Sequence, residues 1–168
     1  VPTWEGMPAV HIQYLQQLQD TIINKADIIF TVSQPLYDEF KLLHNNVYLL
    51  PNGVDYEYYS PMNLPKEYPS VIFRGIMDFL PNVDASVHFC ADILPLVKQQ
   101  VPEIKCYIVG KNPTMRIKSL HDGKTVFVTG YVEDIRPYIA KSDVNVCSMR
   151  IGSGIKNKIL ESMAMAVP

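Results

Sequence analysis

The chain has 168 residues, 48% of them hydrophobic, and a formal net charge of −2. This size permits one ordinary domain with a hydrophobic core, or one domain plus part of another. The near-neutral charge argues against a nucleic-acid polymer as a partner, because such partners require a basic surface. No stretch approaches 18 consecutive apolar residues, so we expect no transmembrane helix.

The termini and the cysteines indicate where the protein works. The amino terminus lacks a basic stretch followed by an apolar core, so we expect no signal peptide; it also lacks an initiator methionine, which suggests a segment of a longer chain. Cys90, Cys106 and Cys147 lie within or beside apolar runs and predict buried thiols in a reducing compartment. We therefore expect a cytoplasmic location. The four histidines are scattered, and we expect no metal site.

The first sixty residues alternate between helical and strand patterns. Ser33 is the expected capping residue of the second helix, and Pro35 lies in its first turn. Residues 56–70 contain several prolines and no periodicity, which predicts a linker with a domain boundary near residue 60. The predicted elements are a helix over 10–25, a strand over 26–32, a helix over 33–43 and a strand over 47–50.

After residue 60, short apolar strands alternate regularly with helices. This order predicts an α/β fold in which helices cover both faces of a parallel, Rossmann-like sheet. We therefore divide the chain into 1–60, the remnant of a preceding domain, and 61–168, the Rossmann-like domain, which we expect to be truncated at its C-terminal end. The predicted strands cover 71–73, 106–109, 126–128 and 144–147, and the predicted helices cover 82–100, 115–120, 135–140 and 155–165.

Glycines and cations follow these strands. In open α/β sheets, ligands bind beyond the carboxyl ends of the strands. Because these ends meet at one edge of the sheet, we expect the residues that follow them to form a single binding site. Each glycine taken alone is more often a simple turn between strand and helix, but four such positions at one edge favour a binding site. The residues concerned are Arg74, Gly75, Gly110, Lys111, Gly130, Tyr131 and Arg150.

The last strand leads into a glycine loop at the start of a helix. Backbone N–H groups of such a loop approach anions closely, and the helix dipole adds to the attraction. Glu161 lies one helical turn beyond Lys158, where its carboxylate could accept hydrogen bonds from sugar hydroxyls. Alternatively, the loop is only a tight turn and Lys158 and Glu161 form a surface pair. The predicted anion-binding residues are Arg150, Gly152, Ser153, Gly154, Lys156 and Lys158.

Five segments resemble the retaining glycosyltransferases of the family 4 type, which have two facing Rossmann-like domains (GT-B fold). Segments 26–33 and 50–55 resemble the region that joins the two domains. The other three resemble the domain that binds the sugar donor: 109–113, 129–134 and 157–165. The resemblance covers most of the chain from about residue 26, and it implies that the acceptor domain precedes this segment.

The resemblance implies transfer of a sugar from a nucleoside diphosphate to a glycan or lipid-linked acceptor, without a metal or other cofactor. Glu161 matches the glutamate that binds the ribose hydroxyls, and Gly154 matches a glycine near the donor phosphate and sugar. Tyr131, Val132 and Glu133 match the loop that borders the nucleobase. No residue of this chain is assigned as catalytic. A segment with only the donor half is expected to bind nucleotide without turnover.

Several positions depart from the family pattern. Ser153 stands where the family has the first of two motif glutamates, and Ile76 and Asn82 stand where it has an arginine and a lysine. Lys156, Arg150 and Arg74 would then supply the positive charge that the diphosphate needs. A non-catalytic, transferase-like module that binds a nucleotide or a protein partner is the main alternative. A nicotinamide-dependent oxidoreductase is disfavoured, because no Gly-x-Gly-x-x-Gly follows an early strand.

Two further expectations concern contact with a membrane and the oligomeric state. Lipid-linked acceptors would bring the full-length protein into peripheral contact with the inner face of a membrane. Two apolar strands in the first sixty residues have unpaired edges that invite pairing. We expect them to pack on the sheet of the second domain or to mediate a homodimer.

Overall fold

The computed structural model describes residues 8–152 and 154–168. These residues form two compact units. The first unit comprises residues 8–53 together with residues 152, 154 and 155, and the second comprises residues 54–151 and 156–168.

The first unit contains two helices and two short parallel strands. Its elements are α1 (Ala9–Lys25), β1 (Ile29–Thr31), α2 (Gln34–Lys41) and β2 (Val47–Leu49). β1 and β2 pair with each other in a separate two-stranded sheet, and they do not extend the sheet of the second unit. Ser33 precedes α2, but its side chain makes no capping hydrogen bond, which corrects that expectation.

The second unit is built on a four-stranded parallel sheet. Its strand order is β5-β4-β3-β6, so the first strand of the unit lies inside the sheet. The strands are β3 (Ser70–Arg74), β4 (Lys105–Val109), β5 (Val126–Gly130) and β6 (Val144–Asn145); the helices are α3 (Leu80–His88), α4 (Leu94–Gln100), α5 (Met115–Lys118), α6 (Arg136–Lys141) and α7 (Asn157–Ala164). The predicted parallel α/β fold is confirmed.

Alternating residues of the strands face two separate hydrophobic clusters. Phe73 and Ile108 are buried on one face among residues of α3, α4 and α5. Ile72 is buried on the other face, where Ile139 of α6 and Val167 cover it. Both faces of the sheet are therefore apolar, as expected for parallel strands covered on both sides.

The predicted helix over 82–100 is three helical pieces. α3 begins at Leu80, and residues Phe89–Ile93 form a π-helical segment before α4. Pro95 lies in the first turn of α4 and has no N–H to donate to the preceding turn. A π-helical segment at that point accommodates the lost hydrogen bond, which the apolar spacing alone does not reveal.

Three further features differ from the sequence-based expectations. β6 is two residues long instead of four, and α7 begins at Asn157 instead of Ile155. The segment expected to be a linker is packed, since Tyr59 and Leu64 contact the second hydrophobic cluster. Residues 54–60 consequently belong with the second unit.

The three cysteines differ in how deeply they are buried. Cys106 is fully buried, whereas Cys90 and Cys147 are only partly buried, and all three are free thiols. In residues 8–152 and 154–168, no helix is both long enough and apolar enough to cross a membrane.

Candidate functional site

A cleft of about 530 Å³ lies in the second unit at the carboxyl ends of β3, β4 and β5. Its walls combine apolar side chains with charged groups. The lining residues are Arg74, Gly75, Ile76, Val109, Gly110, Lys111, Tyr131, Val132, Ile135, Asn157, Lys158 and Glu161.

Backbone hydrogen bonds continue past the strand ends and hold the floor of the cleft. The N–H of Gly75 donates to the carbonyl of Val109 at 3.2 Å, and that of Gly110 donates to Gly130 at 3.1 Å. The N–H of Met77 donates to Lys111 at 2.8 Å. The two segments pass so closely that a Cβ atom on Gly110 would lie 1.7 Å from the Gly75 carbonyl oxygen. Glycine is therefore required at position 110.

An arginine from β3 and a glutamate from α7 meet at the cleft. Arg74 is 6% exposed, and its Nη1 donates to the Glu161 carboxylate. Its Nη2 donates to the Lys158 carbonyl and, at 3.2 Å, to the Ser162 hydroxyl. The charge of Arg74 is thus neutralised within the protein. Arg74 therefore adds little net positive charge to the cleft, and its expected role as a diphosphate ligand stays a prediction.

Lys158 contributes a cation to the cleft. Its Nζ donates to Asn82 Oδ1 at 2.9 Å and lies 4.7 Å from the centre of the Phe73 ring. Burial lowers the pKa of Lys158, and the nearby positive charges of Arg74 and Lys156 lower it further. Within the described part of the chain, no carboxylate forms an ion pair with Lys158, so the surface pair with Glu161 is not present.

The structure brings together eight of the residues that the sequence singled out. These eight line the cleft: Arg74, Gly75, Gly110, Lys111, Tyr131, Val132, Lys158 and Glu161. Four others belong to the second unit but do not line the cleft: Gly130, Glu133, Arg150 and Lys156. Gly152 and Gly154 group with the first unit, at φ angles of 92° and 85° that favour glycine. Ser153 lies outside the described residues.

Arg150, expected beside the phosphates, forms an ion pair with Asp84 of α3. Its Nη2 lies 2.6 Å from Asp84 Oδ1 and its Nε lies 3.0 Å from Oδ2. This two-point contact is the geometry that arginine and a carboxylate favour. Sequence patterns could not reveal it, because the two residues are 66 positions apart.

We expect the Asp84–Arg150 ion pair to make a small, pH-dependent contribution to stability. Hydrogen bonds from Arg150 lower the pKa of Asp84 below its ordinary value of 3.8. A carboxylate with a lowered pKa adds stability above pH 3.8 that is lost as the pH falls through the lowered value. Asp84→Asn should therefore slightly lower the thermal unfolding midpoint at pH 7, and this difference should shrink at pH 3. Glu103→Gln, on the surface, is the control; a difference for Asp84→Asn that is constant with pH would contradict the expectation.

Four lining residues escaped the sequence analysis as binding residues: Ile76, Val109, Ile135 and Asn157. Three of them are apolar and are typical of ordinary core positions. The sequence could have indicated Asn157, because it directly precedes Lys158, a cation of the predicted site. Among the described residues, no group of three or more His, Cys, Asp or Glu side chains is arranged to hold a metal ion.

A Rossmann-like sheet with a cleft at the carboxyl ends of its strands is the arrangement of one half of a GT-B glycosyltransferase. The sequence agrees with this class. Residues 68–168 match the family model for glycosyl transferases group 1, so the chain belongs to that family. No curated protein sequence matches the chain significantly.

Solved structures share the fold at low sequence identity. TarM from S. aureus, in complex with Fondaparinux, alpha-GlcNAc-glycerol and UDP, matches with a TM-score of 0.71 and 15% identity, covering 91% of this chain and 31% of TarM. Anabaena HepE, in complex with UDP and glucose, matches with a TM-score of 0.70 and 15% identity, covering 93% of this chain and 47% of HepE. The pneumococcal O-GlcNAc transferase GtfA, in complex with UDP and GlcNAc, matches with a TM-score of 0.66 and 14% identity, covering 90% of this chain and 31% of GtfA. The chain thus spans 31% to 47% of their lengths.

Proposed function

We propose that this chain binds a nucleoside diphosphate sugar and that the whole protein transfers the sugar to a glycan or lipid-linked acceptor. The observation that supports this most is the cleft itself, which combines apolar walls, two lysines and a glutamate held by an arginine. Membership of the glycosyl transferases group 1 family agrees with it. Retention of the anomeric configuration and assignment to the family 4 type follow from the sequence resemblance and are part of the proposal.

Lys158 and Lys111 are the proposed partners of the donor diphosphate. Both line the cleft, and neither forms an ion pair with a described carboxylate. When the bond between the sugar and the diphosphate breaks, negative charge develops on the departing oxygen. A fixed cation in a partly buried cleft stabilises such charge more strongly than water does. Arg150 and Lys156 stay in the proposal as cations that do not line the cleft.

The nucleoside would occupy the rest of the cleft. We assign the ribose hydroxyls to Glu161, which lines the cleft and has one oxygen engaged by Arg74. The exposed ring of Tyr131 and the side chain of Val132 would border the base, with Glu133 beside them. The loop residues Gly152, Ser153 and Gly154 are assigned to the phosphate and sugar on the sequence resemblance. No cofactor or metal is required in this proposal.

The acceptor and the groups nearest the reacting carbon would come from another domain of the whole protein. We therefore propose that this chain alone binds the donor without turning it over. Transfer from a nucleotide sugar by the purified 168-residue chain would contradict this.

The alternative is a transferase-like module that binds a nucleotide without catalysis. Ser153 favours it, because a serine replaces the glutamate that the family pattern has at that position. The two functions differ in one measurement, namely whether the whole protein transfers or hydrolyses a nucleotide sugar.

The proposal extends to the cellular setting. We assign the protein to the cytoplasm, with peripheral contact to the inner membrane face when the acceptor is lipid-linked. A homodimer through the first unit is supported by the exposed rings of Phe30 and Tyr48, which lie 6.0 Å apart on β1 and β2.

Donor binding can be tested with a panel of UDP, GDP, ADP and their glucose conjugates. At a hundredfold excess over Kd, a ligand adds about 2.7 kcal/mol to stability. For a protein of this size, that raises Tm by roughly 5 °C or more. Titration calorimetry of the same ligands gives the affinities. If none of these ligands binds, the proposed function is overturned.

A further inference from the structure

Arg74 is buried at the end of β3, and its side-chain hydrogen bonds to described residues all reach α7. Three acceptors of this helix hold it: the Glu161 carboxylate, the Lys158 carbonyl and the Ser162 hydroxyl. Its remaining nitrogen, Nε, is buried and has no described partner. Because the residue is 6% exposed, little of the guanidinium is left to reach a phosphate in the cleft.

The same contacts fix the position of Glu161. Arg74 engages the Oε2 atom, whereas Oε1 accepts no hydrogen bond from a described residue. Glu161 lines the cleft, so Oε1 is the atom that can accept hydrogen bonds from a ligand. Because Arg74 also holds the carbonyl of Lys158, it ties the first turn of α7 to the end of β3.

We propose that Arg74 is a positioning residue that orients Glu161 toward the ribose hydroxyls of the donor, and that it does not bind the diphosphate. This inference rests on the proposed function. A guanidinium can serve several acceptors at fixed angles, whereas the ammonium of a lysine is a point charge and cannot span the same three groups. The geometry thus makes arginine and lysine unequal at position 74.

The test compares the nucleoside diphosphate of the panel that binds most tightly, written UDP below, with its 2′,3′-dideoxy form, which has the same base and diphosphate but lacks both ribose hydroxyls. The affinity ratio of the two ligands reports only the hydroxyl contacts. We expect the wild type to bind UDP at least tenfold more tightly, and Arg74→Lys to reduce this preference at least fivefold. In a Glu161→Gln background, Arg74→Lys should change the ratio less than twofold. The matched control is Arg116→Lys on α5, which should leave the ratio unchanged.

The outcomes separate the two proposals. If Arg74→Lys weakens both ligands equally, Arg74 acts on the diphosphate or on the fold in general, and the inference is overturned. If Arg74→Lys does not fold, Arg74→Gln is used instead, because it removes the ion pair with Glu161 and keeps a side-chain donor. An unchanged ratio in that variant would overturn the inference too. A wild type that binds neither UDP nor any other nucleotide of the panel would overturn the proposed function itself.

Discussion

Replacing Lys158 with methionine is expected to weaken UDP binding at least tenfold. The Lys158 ammonium lines the cleft without an ion-pair partner among the described residues, so its charge is available to the donor. A hydrogen bond to a charged group contributes about 1.5–3 kcal/mol, and about 1.4 kcal/mol corresponds to tenfold in affinity. Methionine keeps the approximate length and apolar character of the side chain and removes the charge. Titration calorimetry on the two proteins measures the difference.

The same residue gives the binding a defined pH dependence. Burial lowers the pKa of Lys158 below its ordinary value of 10.5. Only the protonated amine attracts a diphosphate, so we expect UDP affinity to fall as the pH rises through this lowered value. Lys158→Met should lose that dependence. Lys124→Met, in an exposed turn, is the control, and an equal loss of affinity in both variants would contradict the assignment of Lys158.

Replacing Gly110 with alanine is expected to destabilise the protein by about 3 kcal/mol or more, at or above the upper end of typical overpacking costs. The added Cβ would lie 1.7 Å from the carbonyl oxygen of Gly75, and that oxygen belongs to the backbone and cannot rotate away. The segments after β3 and β4 would have to separate. Because both segments line the cleft, nucleotide binding should weaken as well.

Urea unfolding measures the stability change, with Gly53→Ala as the matched control. A Cβ on Gly53 would meet no atom within 4 Å. The control should therefore stay within about 0.5 kcal/mol of the wild type. If the two alanine variants unfold at the same urea concentration, a Cβ atom on Gly110 does not clash with the Gly75 carbonyl oxygen, and the expectation is wrong.

The sheet and the place of the cleft were predictable from sequence, because both follow from local patterns. Apolar strands that alternate with helices require a parallel sheet, and a parallel sheet brings the residues after its strands to one edge. This reasoning places Lys111 and Tyr131 at the cleft. The short extent of β6 and the π-helical segment before Pro95 were not predictable, since hydrogen bonding and not hydrophobicity determines them.

The pairing of charges was not predictable. Arg74 and Glu161 are 87 positions apart, and Arg150 and Asp84 are 66 apart. A sequence shows how many cations surround a predicted site but not which carboxylate neutralises each of them. For this reason the sequence assigns both Arg74 and Arg150 to the diphosphate, whereas the structure pairs each with an acidic side chain.

The strand order has a consequence for how such a domain diversifies. The chain adds β4 and β5 on one side of β3 and then returns to place β6 on the other. Where the strand order reverses, the connections that follow neighbouring strands cross opposite faces of the sheet. The separation of these connections leaves a crevice at the strand ends that depends on the fold and not on particular side chains. Insertions in the connections after β4 or β5 can therefore change which ligand fits the crevice, while the crevice itself and strand β3 are kept. The strand order thus determines that a pocket exists, and the connecting segments determine which ligand it selects.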